Sequence, residues 1–319
     1  MDEPTIEDIR EAVERIRPFV HRTPVLTCST LNRICGTEMF FKCENFQKVG
    51  AFKIRGATNA VFALDDQEAS RGVATHSSGN HAAALALAAR WRGIRAYVVM
   101  PQNAPRVKID AVTGYGAEIV FCEPTLEARE ETLAEVVSTT GAAFVHPYND
   151  PLVIAGQGTA ALELCEEVTG LDVVMTPVGG GGLLSGTAIT VSAVSPQAEV
   201  IAAEPERADD AYRSFRARRL IPATNSDTLA DGLLTSLGDL TFSIIIRYVK
   251  DIYTVSEEGI VQAMRYIWER MKIIVEPSAA VPLGALLAKP KHLLGKRIGV
   301  ILSGGNVDLA DLPWASEIC

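Results

Sequence analysis

Hydrophobic and polar residues recur along the chain with two different periods, and each period predicts a type of secondary structure. Near the N-terminus, Thr5 and Asp8 have the spacing of a helix capping box, and the following run keeps its apolar residues on one helical face until Pro18. Beyond it, short apolar or β-branched runs alternate with helical stretches. The predicted strands are EMFFKCE, GVATHS, RAYVVMP, AEIVF, AAFVHP, VVMTPV, AEVIAAE and the late run 296–302. This alternation predicts an α/β fold with a mainly parallel sheet covered by helices on both faces.

Composition and charge narrow the class of protein. The 319 residues, 48% hydrophobic and 22% charged, exclude a disordered chain and suggest about two domains. The net charge of -9 argues against nucleic acid and anionic membranes as partners. The acidic N-terminus is unlike a signal peptide, and no apolar run is long enough for a membrane helix, so we expect a cytoplasmic protein. Six cysteines lack metal-ligand spacing and are expected to be reduced thiols.

A run of four glycines follows a predicted strand. Gly179–Gly182 separates the apolar run Val173–Val178 from a helix that begins near Leu183. Backbone N–H groups at a helix N-terminus, with no side chains around them, suit a phosphate. The alternative is a tight strand-to-helix turn, for which fewer glycines would be enough.

A second polar turn, THSSGNH, lies between a strand and an alanine-rich helix. Its hydroxyl, amide and backbone donors at a helix N-terminus suit a carboxylate. The alternative is an ordinary serine N-cap followed by solvated polar residues.

Lys53 lies between Phe52 and Ile54, where its amine is easily desolvated and its pKa lowered. Taken alone, it is better interpreted as a surface lysine whose stem packs on apolar neighbours. Together with a phosphate cradle and a carboxylate-binding turn, however, it supplies the parts that a pyridoxal phosphate enzyme acting on an amino acid needs.

The motifs GAFKIRGA, SSGNH, GGGGLLSG, AAEPERADD, EPSA and LSGGN occur in this order. In this the chain resembles the serine racemase and serine/threonine dehydratase family, which includes 3-hydroxyaspartate dehydratase. The resemblance implies fold type II of the pyridoxal phosphate enzymes, like the tryptophan synthase β subunit, with two open, mainly parallel twisted sheets covered by helices. It also implies a large domain from 1–68 and 150–319, a small inserted domain from 69–149, and a homodimer.

The resemblance also implies residue roles around pyridoxal 5'-phosphate. Lys53 would attach to the cofactor and act as the base at the substrate Cα. The other cofactor-binding residues would be Phe52 beside the ring, Asn80 at its hydroxyl, Ser303 at its nitrogen, and Gly179, Gly180, Gly181, Gly182 and Leu183 around the phosphate.

For the amino-acid substrate, the resemblance implies a carboxylate site and a side-chain site. The carboxylate site would be built by Ser77, Ser78, Asn80 and His81. Arg129 and Thr235 would reach toward the substrate side chain, although Thr235 stands where serine racemase has a serine. The alternative for Arg129 is a pairing with Glu127 or Glu130 on its own charged helix.

A divalent-cation site is implied by Glu204, the carbonyl of Ala208 and Asp210, whose hard oxygen ligands suit Mg²⁺ or Ca²⁺. The alternative is a solvated acidic helix start after Pro205. The expected reaction is β-elimination from serine, threonine or 3-hydroxyaspartate to a 2-oxo acid and ammonia. Ser78 would be the second catalytic residue, in a serine racemase side reaction. The alternatives are β-replacement, as in cysteine synthases, and a non-catalytic module that binds a phosphate ligand.

Overall fold

The computed structural model describes residues 2–224, 227–288 and 290–314. Cys28, Cys43, Cys122 and Cys165 are free thiols, while Cys319 lies outside the described residues. The helices are α1 Ile6–Ile16, α2 Ser29–Cys35, α3 Lys53–Ala63, α4 Asp66–Ser70, α5 Asn80–Arg92, α6 Arg106–Gly114, α7 Leu126–Thr140, α8 Pro151–Glu167, α9 Gly182–Val194, α10 Asp210–Ala217, α11 Asp239–Tyr248, α12 Glu257–Tyr266 and α13 Pro277–Leu287. The strands are β1 Val25–Thr27, β2 Glu38–Cys43, β3 Val73–His76, β4 Ala96–Pro101, β5 Glu118–Cys122, β6 Ala143–Phe144, β7 Val173–Pro177, β8 Glu199–Pro205, β9 Asp251–Val255 and β10 Arg297–Leu302.

The larger sheet has six strands in the order β1-β2-β10-β7-β8-β9. Strands β1 and β2 pair antiparallel, and the other strand pairs of this sheet in the described residues are parallel. Every residue of β7 is buried, because helices cover both faces of the sheet, and its sequence is accordingly apolar except for Thr176. The predicted α/β class is confirmed.

The smaller sheet has four parallel strands in the order β5-β4-β3-β6, all drawn from the stretch 73–144. It gives the second of the two predicted sheets, while the domain boundaries at 69 and 149 stay a prediction. β6 is shorter than the pattern AAFVHP suggested. The Thr75 hydroxyl donates a hydrogen bond to the Val145 carbonyl at 2.9 Å. The chain then turns at Pro147, which has no N–H to donate to a neighbouring strand.

Glycine contacts hold α3, α8 and α9 together. A Cβ built on Gly156 would lie 2.6 Å from the Cα of Gly56, and one on Gly186 would lie 2.5 Å from the backbone N of Gly158. Only glycine permits such close approach of helix backbones. The N-termini of α3 and α9, which carry Lys53 and the glycine run, are therefore fixed relative to each other through α8.

The apolar pattern did not predict β1, β9, α2, α4, α11 or α13. Helix α13 is buried on nearly every side, with ten of its eleven residues buried, and its sequence is accordingly apolar almost throughout. Such a helix has no polar face from which a period can be read. No helix in the ranges 2–224, 227–288 and 290–314 is long and apolar enough to cross a membrane.

Candidate active site

Lys53 is the first residue of α3, and its half-buried amine donates a hydrogen bond to the Pro147 carbonyl at 2.8 Å. Burial lowers the pKa of Lys53 to about 8, although the nearby Glu276 carboxylate acts in the opposite direction. The Phe52 ring centroid lies 5.3 Å from the amine, and the Phe52 N–H donates to the carbonyl of buried Ser303 at 3.0 Å. The structure thus brings Lys53, Phe52 and Ser303 together.

The glycine run forms the turn between β7 and α9. Gly181 has φ of +88°, which favours glycine, and a Cβ on Gly180 would lie 2.4 Å from the Tyr148 ring. The Thr241 hydroxyl donates to the Gly180 carbonyl at 2.9 Å and holds the turn from behind. The backbone therefore lies at the N-terminus of a 13-residue helix in a conformation that side chains would obstruct, as an anion cradle requires.

The turn His146–Asn149 joins these two parts, although the sequence analysis gave it no role. Besides the Pro147 contact with Lys53 and the Tyr148 contact with Gly180, the Asn149 side chain accepts from two backbone N–H groups at the start of α11. The turn is itself shaped by His146 Nδ1, which accepts from the Tyr148 and Asn149 N–H groups at 3.3 and 2.9 Å. A polar turn directly after β6 was the signal that could have found it.

The SSGNH turn lies at the carboxyl end of β3. Ser77 and Ser78 are half-buried, and the Ser77 hydroxyl accepts from the Gly79 N–H at 3.3 Å. Helix α5 begins at the next residue, Asn80, and runs for 13 residues. Free N–H groups and two hydroxyls at this helix start can bind a carboxylate.

Asn80 contacts a residue to which the sequence analysis assigned no function. Its Nδ2 lies 3.1 Å from both carboxylate oxygens of Glu276, which is only 4% exposed. Burial raises the pKa of Glu276 to about 7. Glu276 belongs to the motif EPSA, so its place among the ordered motifs was the available signal.

His81 is buried, which separates it from the other residues of its turn. Its Nε2 donates to the Val145 carbonyl at 3.3 Å, while Nδ1 has no hydrogen-bond partner among the described residues. Burial lowers the pKa of His81 well below its usual value, and the Lys53 charge adds to this effect. The imidazole therefore anchors α5 to the chain beyond β6, and a role in carboxylate binding stays a prediction.

Arg129 and Thr235 lie on different elements, and no contact joins either of them to Lys53 in the described residues. Arg129 is half-buried on α7, and its Nε has no hydrogen-bond partner within the described part of the chain. Burial lowers the pKa of His76, at the end of β3; the Glu130 charge acts against this effect, and the nearby Arg129 charge adds to it. No salt bridge joins Arg129 to Glu127 or Glu130 in the described residues. Thr235 is exposed on the segment before α11.

Two acids of the motif EPERADD, Glu204 and Asp210, are buried. Both oxygens of Glu204 accept backbone N–H groups, from Ala211 at 2.9 Å and Tyr212 at 2.8 Å. Asp210, only 1% exposed, begins α10, and neither of its carboxylate oxygens has a partner among the described residues. Burial raises the pKa of Glu204 to about 9 and that of Asp210 to about 6.

Ala208 is buried in the short 3-10 turn Glu206–Ala208, between these two acids in sequence. The described residues contain no group of three or more His, Cys, Asp or Glu side chains placed to hold a metal ion. The implied ligands, these two carboxylates and the Ala208 carbonyl, would offer the oxygen atoms that suit a hard cation, and the cation site stays a prediction.

A model of a known protein family matches residues 16–304, which is most of the chain, and its description is "Pyridoxal-phosphate dependent enzyme". The chain belongs to this family. The family and the enzymatic nature of the chain, predicted from the ordered motifs, are confirmed.

Full-length relatives extend the match. The chain is 57% identical to the β-hydroxyaspartate dehydratase of Paracoccus denitrificans (strain Pd 1222), over 98% of this chain and 99% of that one. It is 51% identical to the serine racemase of Dictyostelium discoideum, over 97% and 96%. The solved structure of maize serine racemase superposes with a TM-score of 0.96 at 47% identity, covering 99% of this chain and 97% of that chain. Fold type II is therefore confirmed together with the family.

Proposed function

We propose that this enzyme catalyses β-elimination from small β-hydroxy amino acids, with 3-hydroxyaspartate preferred. The observation that carries the proposal is the Lys53 amine, half-buried, with its pKa lowered to about 8 by burial and with an anion cradle and a carboxylate-binding turn beside it. An amine with this pKa is partly neutral near neutral pH and can accept a proton. The 57% identity to a β-hydroxyaspartate dehydratase supports this reaction.

The residues fit pyridoxal 5'-phosphate. The backbone of Gly179, Gly180, Gly181, Gly182 and Leu183 at the start of α9 would hold its phosphate, because the four glycines stand where a Cβ would meet neighbouring atoms. Asn80 would contact the ring hydroxyl, Ser303 the ring nitrogen and Phe52 the ring. When bound, the cofactor would withdraw electrons from the substrate Cα.

The protein's own groups would then perform three tasks. Ser77, Ser78 and the start of α5 would bind the substrate carboxylate, which orients Cα toward Lys53. Lys53 would remove the Cα proton and, once charged, would protonate the departing β-hydroxyl. Elimination releases one water molecule, and hydrolysis of the eliminated product consumes one. The net reaction therefore converts 3-hydroxyaspartate to a 2-oxo acid and ammonia.

Arg129 supports a substrate with a second carboxylate. Its Nε is buried without a partner, so a guanidinium is left with hydrogen-bonding capacity near the end of β3. A carboxylate is its natural bidentate partner. Serine and threonine offer no such group.

The test is release of 2-oxo acid from serine, threonine and 3-hydroxyaspartate stereoisomers. Wild type should prefer a 3-hydroxyaspartate, and Lys53→Ala should abolish all activities. Arg129→Ala should lose 3-hydroxyaspartate activity by at least about tenfold more than serine activity, whereas Arg106→Ala, an exposed arginine, should change neither. Equal losses in Arg129→Ala would contradict the substrate preference, and undiminished activity in Lys53→Ala would contradict the mechanism.

A second activity, serine racemisation, is favoured by Ser78, since inversion needs an acid and base on the face of Cα opposite Lys53. The 51% identity to a serine racemase supports it. Ser78→Ala should remove D-serine formation while much elimination survives. If the wild type eliminates L-serine but forms no D-serine with an exchanged Cα proton, this activity is contradicted.

The remaining parts of the proposal are a Mg²⁺ or Ca²⁺ ion held by Glu204, Asp210 and the Ala208 carbonyl, a homodimer and a cytoplasmic location. The two unpartnered oxygens of buried Asp210 support the cation, because such oxygens are costly without a partner. Light scattering that gives twice the chain mass of 34.3 kDa would support the dimer. A purified protein that stays colourless with pyridoxal phosphate would instead favour a non-catalytic binding module, and activity only with an added nucleophile would favour β-replacement.

A further inference from the structure

The side-chain amide of Asn80 is held at both of its ends. Its Nδ2 lies 3.1 Å from each carboxylate oxygen of Glu276, and its Oδ1 accepts a hydrogen bond from Asn306 Nδ2 at 2.9 Å. The same Asn306 Nδ2 donates to the Val49 carbonyl at 2.7 Å. Four residues from distant parts of the chain thus form one continuous chain of hydrogen bonds.

The chemistry at the two ends of this chain fixes both amide orientations. The Val49 carbonyl can only accept, so Asn306 must present its NH₂ group there, and its second hydrogen then requires an acceptor, the Asn80 oxygen. At the other end, an ionised Glu276 can also only accept. The nitrogen of Asn80 must therefore face Glu276, and the usual ambiguity between amide oxygen and nitrogen is removed.

The surroundings leave these groups little freedom to move. Glu276 also accepts from the Asn306 backbone N–H at 3.2 Å, and a Cβ on Gly304 would lie 2.7 Å from its carboxylate. A Cβ on Gly50 would lie 2.4 Å from the Asn306 side-chain oxygen. Val49 has φ of 56°, a strained backbone conformation for a β-branched residue, and it carries the carbonyl that begins the chain of hydrogen bonds.

We propose that Glu276 and Asn306 are positioning residues that make Asn80 a hydrogen-bond donor to the ring hydroxyl of bound pyridoxal phosphate. The inference rests on the proposed place of Asn80 at that hydroxyl. The equal distances from Nδ2 to the two Glu276 oxygens fit one shared hydrogen, which leaves the second hydrogen for a ligand. In the flipped orientation, the amide oxygen would face the ring oxygen and offer it no proton.

The charge of Glu276 strengthens this arrangement, because a protonated carboxyl group can donate to an amide oxygen and leaves the orientation of Asn80 to Asn306 alone. Burial raises the pKa of Glu276 to about 7. The charge of Asp231 raises it too, while the hydrogen bonds from Asn80 and Asn306 and the charge of Lys108 lower it. Lys53 is the other charged group nearby. The preference for Asn80 as a donor should therefore weaken as the pH falls below about 7.

The test measures how tightly the full-length chain, freed of cofactor, binds pyridoxal 5'-phosphate and its analogue 3-deoxypyridoxal 5'-phosphate, which lacks the ring hydroxyl. Binding is followed by protein fluorescence. Glu276→Gln should weaken binding of pyridoxal phosphate about tenfold and that of the analogue less than about twofold. Glu257→Gln, a buried acid elsewhere in the chain, should change neither affinity.

Asn306→Ala provides a second variant, because Asn306 is exposed and its truncation should leave the fold intact. It should show the same selective loss. If Asn306→Ala and Glu276→Gln weaken the binding of pyridoxal phosphate and of its 3-deoxy analogue equally, the inference is overturned. A purely structural role would affect both ligands alike. Wild type and Asn80→Ala that bind pyridoxal phosphate equally well would overturn it too, whereas the elimination reaction is tested separately by Lys53→Ala.

Discussion

Two buried groups of acidic side chains differ in what neutralises them. In the first group, Glu44 and Glu163 surround Arg55, which binds Glu44 through Nε at 2.7 Å and Glu163 through Nη1 at 2.8 Å. Lys42 binds Glu163 at 2.6 Å. Two acids and two bases, all buried, leave this group without net charge.

The second group, Glu204 and Asp210, has no basic side chain within salt-bridge distance among the described residues. The pKa of Glu163 in the first group and those of Glu204 and Asp210 in the second shift in opposite directions. Burial acts to raise the pKa of Glu163, but the hydrogen bonds and charge of Arg55 outweigh it, and the pKa is lowered. Burial raises the pKa of Glu204 and Asp210, and the backbone hydrogen bonds and the Arg213 charge that act against it do not outweigh it.

The comparison separates an architectural role from a ligand-binding role. A buried ion cluster that is neutral by itself holds β2, α3 and α8 together and needs nothing from solution. Without its own cation, the buried acid pair keeps Glu204 protonated near neutral pH, and a bound divalent cation would instead stabilise both carboxylates in their charged form. Burial of acids alone would not have distinguished the two groups.

The largest expected effect comes from breaking the neutral cluster. Arg55→Met should lower the free energy of unfolding by about 3–5 kcal/mol, because Glu44 and Glu163 would keep their buried charges with only Lys42 to balance them. Urea unfolding followed by circular dichroism measures the change. A loss below about 1 kcal/mol would mean that water reaches the cluster and that the group is not truly buried.

Removing a bound cation should have the next largest effect. Chelation with EDTA should lower the free energy of unfolding by about 3 kcal/mol if the metal was present at about a hundred times its Kd. Asp210→Asn should abolish this sensitivity, whereas Glu257→Gln should retain it. EDTA that leaves both thermal stability and activity of the wild type unchanged would exclude a cation at this site.

The metal-free protein should also show a distinctive pH dependence. The pKa of Glu204 is about 9 in the fold against 4.5 for the free side chain, so the folded state holds a proton that the unfolded chain releases. Stability must then fall as pH rises between those values, by about 1 kcal/mol per pH unit. Unfolding in urea at several pH values checks this.

Glu204→Gln should remove that slope, and saturating Mg²⁺ should reduce it, since both remove the protonation difference between the folded and unfolded states. Identical slopes in the wild type and in Glu204→Gln would show that Glu204 titrates normally and that the acid pair is solvated.

Local patterns in the sequence predicted most of the alternating strands and helices, because period and turn chemistry act over short distances. The capping box of Thr5 and Asp8 is present as predicted, with the Thr5 N–H 2.7 Å from the Asp8 carboxylate. The ordered motifs likewise led to Lys53 and the glycine turn. Helix α13 escaped prediction because its burial on all sides erases the periodic signal.

The contacts that could not be predicted from the sequence join residues that are far apart along the chain. Arg55 and Glu163 are 108 residues apart, and Asn80 and Glu276 are 196 residues apart. Each of these residues alone is typical of a polar surface, and only the fold makes it a buried contact. No local pattern carries that information.

The smallest expected effect would confirm that burial, and not the presence of an ion pair, distinguishes the two groups. Arg22 pairs with Glu166 at 2.9 Å, and both side chains are more than half exposed. Glu166 lies on α8, the helix that also carries Glu163. Water already solvates both charges, so Arg22→Ala should lower the free energy of unfolding by only about 0–1 kcal/mol, and less in high salt. The measurement is the same urea unfolding used for Arg55→Met. A loss comparable to that of Arg55→Met would mean that proximity of opposite charges, with or without burial, stabilises this part of the fold.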